Sequence, residues 1–180
     1  VLEKGADKYD DVGFPCVVKP CSGGSSVGTS IVRSRDEYDA ALEFAFKYES
    51  HVLVEKYVKG REFTVGVLNG KAMPVIEIIP KNGWDYKNKY QAGMTEEICP
   101  AEISAEDTDR LQRLAERVAT ALMIDVYFRA DFLMDETDGE IYCLEANTLP
   151  GMTPTSLVPQ MAREMGMSFP QLCDKIIEVS

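Results

Sequence analysis

Apolar and polar positions alternate, cluster and space themselves in a way that divides the chain into strands and helices. Cys16-Val17-Val18-Lys19, after Gly13-Phe14-Pro15, is a short apolar run of the kind that forms a buried strand. It runs into Pro20-Cys21-Ser22-Gly23-Gly24-Ser25-Ser26-Val27-Gly28, too rich in Gly and Ser for helix or strand. Thr29 to Arg33 predicts a second strand. Ser34-Arg35-Asp36-Glu37 reads as a capping box opening a helix to about Tyr48, with Tyr38, Ala41, Leu42 and Ala45 on one face. His51 to Val58 is strand-like. Glu62 to Leu68 and Lys71 to Ile79 flank Asn69-Gly70, which predicts a tight hairpin.

Residues 80–100 are polar and aromatic, hold no period, and predict a long loop of the sort that serves as a lid. Ser104-Ala105-Glu106-Asp107 then opens a helix to about Met123, with Leu111, Leu114, Val118, Ala119 and Leu122 as its apolar stripe. Val126 to Met134 and Glu140 to Ala146 read as strands joined at Asp138-Gly139. A loop over 147–156 and helices near 157–165 and 169–178 complete the pattern. Hairpins mixed with segregated helices favour an α+β fold over a doubly wound parallel sheet. No repeat and no low-complexity tract interrupts it.

The composition and the character of the chain's segments change this picture. At 180 residues, 45% hydrophobic and 27% charged, the chain is globular and long enough for a sizeable core. Nineteen Lys and Arg against 30 Asp and Glu give a net charge of −11, which disfavours a nucleic-acid partner held by counterion release. No apolar run approaches the ~20 residues of a membrane span. The five cysteines, at 16, 21, 99, 143 and 173, form no CxxC pair, so we expect reduced thiols and a cytoplasmic location. The first residues, Val1-Leu2-Glu3-Lys4, have no signal-peptide character and read as a processed chain or a piece of a longer one.

Some motifs lead nowhere. Gly24-Ser25-Ser26-Val27-Gly28 matches the nucleophile elbow, but that elbow needs a following helix and a strand follows here. Glu136, Asp138, Gly139 and Glu145 fall on calcium-loop positions, yet Met134 would occupy the first and the flanks are strands. One histidine and no paired cysteines argue against structural zinc.

Three constellations carry chemistry. Lys19 ends a strand just before the Gly/Ser loop 22–28, where free backbone N–H groups suit a phosphate grip and equally an ordinary flexible hairpin. Arg129 and Asp131 share one strand face, as do Glu145 and Asn147. Paired through Asp138-Gly139, they would bring together two carboxylates, an amide oxygen and a guanidinium. That set suits Mg²⁺ beside a developing phosphoryl charge, the alternative being a solvated, salt-bridged sheet face. Glu55-Lys56-Tyr57-Val58 and Glu62 bracket a turn whose backbone could read a base edge, with Glu62 accepting from ribose hydroxyls, the alternative being charged side chains simply exposed near a strand end.

These stretches resemble the ATP-grasp ligases, and within them the D-alanine–D-alanine ligase family. The matching runs are Val18-Lys19-Pro20 with Gly24 to Gly28, Val54-Glu55-Lys56 with Glu62 to Val65, Lys89-Tyr90, Arg129 to Phe132, and Leu144-Glu145-Ala146-Asn147-Thr148-Leu149-Pro150-Gly151-Met152-Thr153 through Ser156-Leu157-Val158-Pro159. The resemblance implies two lobes of mostly antiparallel sheet flanked by helices. Residues 1–60 would be part of the central lobe, and 61–180 the C-terminal lobe with the lid. It implies that Lys19 and loop 24–28 grip ATP phosphates, with Ser25 also touching the lid, and that Gly24 and Ser26 belong to that grip. Glu55, Lys56, Val58 and Leu144 would line the ATP site, and Glu62 would hold the ribose. Asp131, Glu145 and Asn147 would hold two Mg²⁺ ions, with Mn²⁺ as a substitute, and Arg129 would face the transferring phosphoryl group. Gly151, Ser156 and Leu157 would bind the second D-alanine, while Lys89 and Tyr90 act from the lid. A tyrosine at 90 resembles the dipeptide-forming enzymes. The implied reaction joins two D-alanines through an acyl phosphate for peptidoglycan precursor synthesis, in an enzyme that is a homodimer when full-length.

The family also carries an N-terminal domain and the front of the central lobe, including a second ATP-binding lysine, that find no counterpart in this sequence. The expectation is therefore that this piece alone is inactive or nearly so. The competing readings are an ATP-grasp carboxylate–amine ligase with another acceptor, and a nucleotide-binding remnant without activity.

Overall fold

The structure is a computed structural model that describes residues 1–5, 12–22, 27–80 and 95–180. The described residues divide into two compact units, one ending at Val58 and the other beginning at Lys59.

The first unit is a four-stranded antiparallel sheet with one helix. Its strands are β1 (Leu2–Glu3), β2 (Cys16–Pro20), β3 (Ser30–Val32) and β4 (His51–Lys56), in the order β1-β4-β2-β3. Helix α1 (Arg35–Ala45) buries Tyr38, Ala41, Leu42 and Ala45 against Cys16, Val18, Val32 and Val52, as its 3.6-residue pattern predicts. The capping box does not form. Ser34 makes no side-chain cap, and Glu37 reaches one residue further back, accepting from the Arg33 backbone N–H at 2.7 Å.

The second unit is a five-stranded antiparallel sheet in the order β7-β6-β5-β8-β9, covered by helices on both faces. Its strands are β5 (Gly60–Leu68), β6 (Lys71–Pro80), β7 (Thr95–Ile98), β8 (Tyr127–Asp135) and β9 (Ile141–Asn147). Asn69 and Gly70 both take positive φ, 50° and 72°, which is the hairpin turn their dipeptide predicts. Strand β7 corrects the expected loop over 80–100. Thr95-Glu96-Glu97-Ile98 is an edge strand paired only with β6, and its mostly polar residues give no alternation to read. Residues 81–94 of that loop lie outside the described residues.

Helix α2 (Ala105–Leu122) is capped by Ser104, whose hydroxyl accepts from the Asp107 N–H at 3.0 Å. Leu111, Ala115 and Ala119 pack on Phe63, Val65, Val67, Phe128, Ala130 and Phe132. Leu122 departs from its predicted stripe. It stands exposed in the last turn, just before left-handed Met123, and small Ala115 lies in the seam instead. The opposite face of the sheet carries α3 (Leu157–Glu164) and α4 (Phe169–Glu178), joined to it through Met73, Ile76, Val158, Met161 and Leu172. Ser168 and Gln171 close a capping box at the start of α4. Sequence reading and structure agree on α+β. No helix among the described residues is long and apolar enough to cross a membrane.

Candidate active site

Phe128, Ala130 and Phe132 are each no more than 1% exposed and point at α2. A strand alternates its faces, so Arg129 and Asp131 must point the other way, toward the face that carries α3. Register then sets their neighbours. Thr64 lies opposite Asp131, and Asp131 opposite Glu145; Gly66 lies opposite Arg129, and Arg129 opposite Asn147. Two rows of three residues thus cross β5, β8 and β9 on one face. The β8–β9 register slips by one residue directly after Asp131, where Leu144 is the extra residue. This bulge sits beside the rows, a place where bulges commonly re-aim side chains.

Asp131 is the centre of the cluster. Its carboxylate accepts from Arg129 Nε at 2.8 Å and Nη2 at 2.7 Å, a two-pronged ion pair. It also accepts from Thr64 Oγ1 at 2.6 Å and from Asn147 Nδ2 at 3.2 Å. The same Asn147 nitrogen lies 3.0 Å from Glu145 Oε1. A donor wedged between two carboxylates occupies the spot where those oxygens converge. Rotating the amide end for end puts its oxygen there instead, giving three hard oxygen donors around one point. That set fits Mg²⁺, which takes few protein ligands and completes its shell with phosphates and water. Among the described residues no group of three or more His, Cys, Asp or Glu side chains is arranged to hold a metal, and the set here would need the amide as its third donor. The neighbouring Cys143 thiol is pushed up from its ordinary value, chiefly by burial and further by the Asp131 charge.

Glu62 lies two residues before Thr64 on the same strand face and is buried. At the far end of β9, the loop 148–156 leads to α3. Its Ser156 is the N-cap residue of the helix, but the side chain makes no capping hydrogen bond. The Ser156 hydroxyl instead accepts from the Thr153 N–H at 3.0 Å and lies 2.8 Å from Thr153 Oγ1. A side chain on Gly151 would place its Cβ 2.9 Å from Ser156 Oγ, so glycine there keeps this hydroxyl accessible. The first-turn amides of α3, beginning with Leu157, receive no cap from it and suit a carboxylate.

In the first unit, Lys19 and Glu55 lie diagonally across β2 and β4 and form an ion pair at 2.7 Å. Glu55 is partly buried, Lys56 is exposed at the end of β4, and Val58 follows it. Gly24, Ser25, Ser26, Lys89 and Tyr90 lie outside the described residues. The structure therefore brings together Arg129, Asp131, Glu145 and Asn147 in one cluster, Gly151 and Ser156 in another, and Lys19 with Glu55 in a third.

Sequence reasoning gave no role to Thr64, although it stands inside a quoted run. A hydroxyl in the middle of Phe63-Thr64-Val65, fully buried, needs an acceptor, and its place two residues after Glu62 names the face on which to seek one.

The chain belongs to the family described as D-ala D-ala ligase C-terminus, whose model matches residues 3–178. It is 45% identical over 166 residues to the D-alanine–D-alanine ligase of Pediococcus pentosaceus, covering 91% of this chain and 47% of that protein. With the ligase of Geobacter sulfurreducens it shares 48% identity over 167 residues, 92% of this chain and 52% of the other. Among solved structures, the D-alanine–D-alanine ligase of Bacillus anthracis complexed with ATP superposes with a TM-score of 0.83 at 37% identity, covering 99% of this chain and 57% of that one. The VanG D-Ala:D-Ser ligase of Enterococcus faecalis does so with 0.82 at 35%, covering 94% and 50%. The α+β fold is thus that of ATP-grasp ligases. The chain spans about half the length of the curated relatives it matches.

Proposed function

We propose that the protein to which this chain contributes is an ATP-dependent D-alanine–D-alanine ligase. One D-alanine carboxylate attacks the γ-phosphorus of ATP, releasing ADP and leaving an acyl phosphate. The amine of a second D-alanine then attacks the acyl carbon and expels phosphate. The observation that carries this reading is the double row Thr64–Asp131–Glu145 and Gly66–Arg129–Asn147 on one sheet face, within a chain that matches the ligase family almost end to end.

Asp131, Glu145 and Asn147 would hold Mg²⁺, which when bound supplies neutralisation of the phosphoryl oxygens. Arg129 would release part of its pairing with Asp131 to face the transferring group, where a guanidinium stabilises spread phosphoryl charge. Lys19 would exchange Glu55 for ATP phosphates, with Gly24, Ser25 and Ser26 beside it. Glu55, Lys56, Val58 and Leu144 would border the nucleotide, and Glu62 would accept from the ribose. Ser156, Leu157 and Gly151 would receive the carboxylate of the second D-alanine at the open start of α3. Lys89 and Tyr90 would complete the substrate enclosure, and residues 1–60 and 61–180 would act as two lobes. The 180 residues alone would be inactive, because a partial site cannot hold both amino acids.

VanG, named for D-Ala:D-Ser ligation, resembles the chain nearly as well as the Bacillus anthracis enzyme does, so overall similarity does not choose the acceptor. Tyr90 favours D-alanine over a hydroxy acid. A product assay on the intact enzyme with D-alanine, D-serine and D-lactate tests the reading, and absence of dipeptide with D-alanine overturns the acceptor. Calorimetry with Mg-ATP on the same enzyme and on Glu145→Ala tests the metal site, which equal affinities would contradict.

A further inference from the structure

Three consecutive carbonyls of the loop before α3 are held by residues of α3 and its cap. Thr153 O accepts from the Ser156 N–H at 2.9 Å, Pro154 O from Arg163 Nη2 at 2.8 Å, and Thr155 O from Gln160 Nε2 at 2.9 Å. The helix thus folds its own side chains back over the loop that leads into it. Gln160 does one thing more. The same Nε2 lies 2.5 Å from Glu97 Oε2 on edge strand β7. One amide group therefore ties the loop to the rim of the sheet.

The chemistry of that tie is directional. A glutamine amide presents an NH₂ or an oxygen according to its flip, and only the NH₂ can serve Thr155 O. Glu97 accepts and does not donate, so it selects the flip that also serves the carbonyl. We infer that Gln160 is a positioning residue for the acceptor: bridging Glu97 and Thr155, it fixes the loop whose next residue is Ser156. Ser156 carries the hydroxyl, and α3 the first-turn amides, of the proposed carboxylate site. This rests on the ligase reading above, and Gln160 touches no substrate itself.

The bridge acts on where Ser156 stands, not on phosphoryl transfer, so its loss moves the affinity for the second amino acid selectively. Steady-state kinetics on the intact enzyme carrying these residues resolve the effect. In Gln160→Ala the KM for the second D-alanine rises about tenfold, the scale of one lost hydrogen bond, while kcat and the KM for ATP stay within about twofold. Gln160→Lys, which can still donate to both Thr155 O and Glu97, recovers most of the loss. Should Gln160→Ala not fold, Gln160→Glu keeps the shape and removes the donor, and shows the same rise. An unchanged acceptor KM in an active variant overturns the role of Gln160 and leaves the ligase reading intact, as does an equal rise in both KM values. An unmutated enzyme that forms no dipeptide with any acceptor overturns the ligase reading, and this inference with it.

Discussion

Thr64 Oγ1 lies 2.6 Å from Asp131 Oδ1, in a position with no solvent exposure. The hydroxyl has one proton to give, and the other acceptor within reach, Ala130 O, is further away at 3.3 Å. The proton therefore goes to the carboxylate. Because Thr64 and Asp131 are register partners on β5 and β8, this contact holds the Asp131 side chain against the sheet while Arg129 and Asn147 approach it along β8 and from β9.

Thr64→Val keeps the shape and removes the donor. We expect it to cost about 1–2 kcal/mol in urea unfolding, since a buried carboxylate oxygen loses a partner. Mg-ATP affinity falls about ten- to hundredfold, the range for losing a group that orients a metal ligand. Thr64→Ser, which retains the hydroxyl, keeps the affinity. Calorimetry on the intact enzyme distinguishes the two, and equal binding by all three forms removes Thr64 from the site.

The Lys19–Glu55 pair makes a different prediction. Its side chains are 22% and 31% exposed, so solvent screens the attraction and the pair contributes little to folding. Glu55→Gln should change unfolding free energy by less than about 1 kcal/mol. Lys19→Met should be equally mild toward stability yet reduce ATP binding at least about tenfold, because the same ammonium is the proposed phosphate contact. Comparable losses in both measurements would make Lys19 a structural residue only.

How far the sequence reveals this site follows from the range over which each feature is determined. The pairing of Arg129 with Asp131 and of Glu145 with Asn147 on common faces needs only the two-residue period and the turn at Asp138-Gly139, both local. The bulge at Leu144 is not local: it depends on how β9 meets β8, and nothing in Tyr142-Cys143-Leu144-Glu145 marks it. Thr64 and Gln160 escaped for the same reason. A threonine inside an apolar strand and a glutamine on a helix look ordinary until the strand opposite and the edge beyond are in place. Strand β7 was missed because an edge strand with polar side chains has neither a hydrophobic face nor a second neighbour. Ser34-Glu37 erred in the other direction, since a capping signature permits the contact without requiring it.

Cys99 gives a pH-dependent test. Burial, reinforced by Glu164 and opposed by Arg163, pushes its thiol from an ordinary 9.0 up to about 11. The folded chain therefore keeps a proton that the unfolded chain gives up. The resulting stability is fully present below pH 9 and is lost as pH rises through about 11. Between pH 8.5 and 10.5 the urea midpoint of the native protein should fall more than that of Cys99→Ser, other titrations being common to both. Parallel declines would contradict the assignment. In the same window iodoacetamide should label exposed Cys21 ahead of Cys99.

The pair Arg61–Glu77 locks the central strand β5 to β6 in the same sheet. Arg61 Nε and Nη2 meet Glu77 Oε1 and Oε2 at 2.6 and 2.7 Å, and the guanidinium carbon lies 5.2 Å from the centre of the Phe63 ring. The hydrogen bond to Glu77, with the charge of Glu77 and Asp107 behind it, raises the Arg61 pKa despite some desolvation. The two ends of the pair are unequally buried: the Glu77 side chain is 8% exposed and that of Arg61 47%. Removing the arginine leaves a carboxylate in the sheet with no counter-charge, whereas removing both leaves an apolar surface that can pack. Arg61→Ala should therefore destabilise by about 2 kcal/mol, below the full range for a buried pair because the arginine end is half in water. The double variant Arg61→Met with Glu77→Leu should recover most of that loss. Denaturant melts of the single and double variants measure the coupling, and a double variant less stable than Arg61→Ala would mean that the pair itself, not the stranded carboxylate, supplies the stability.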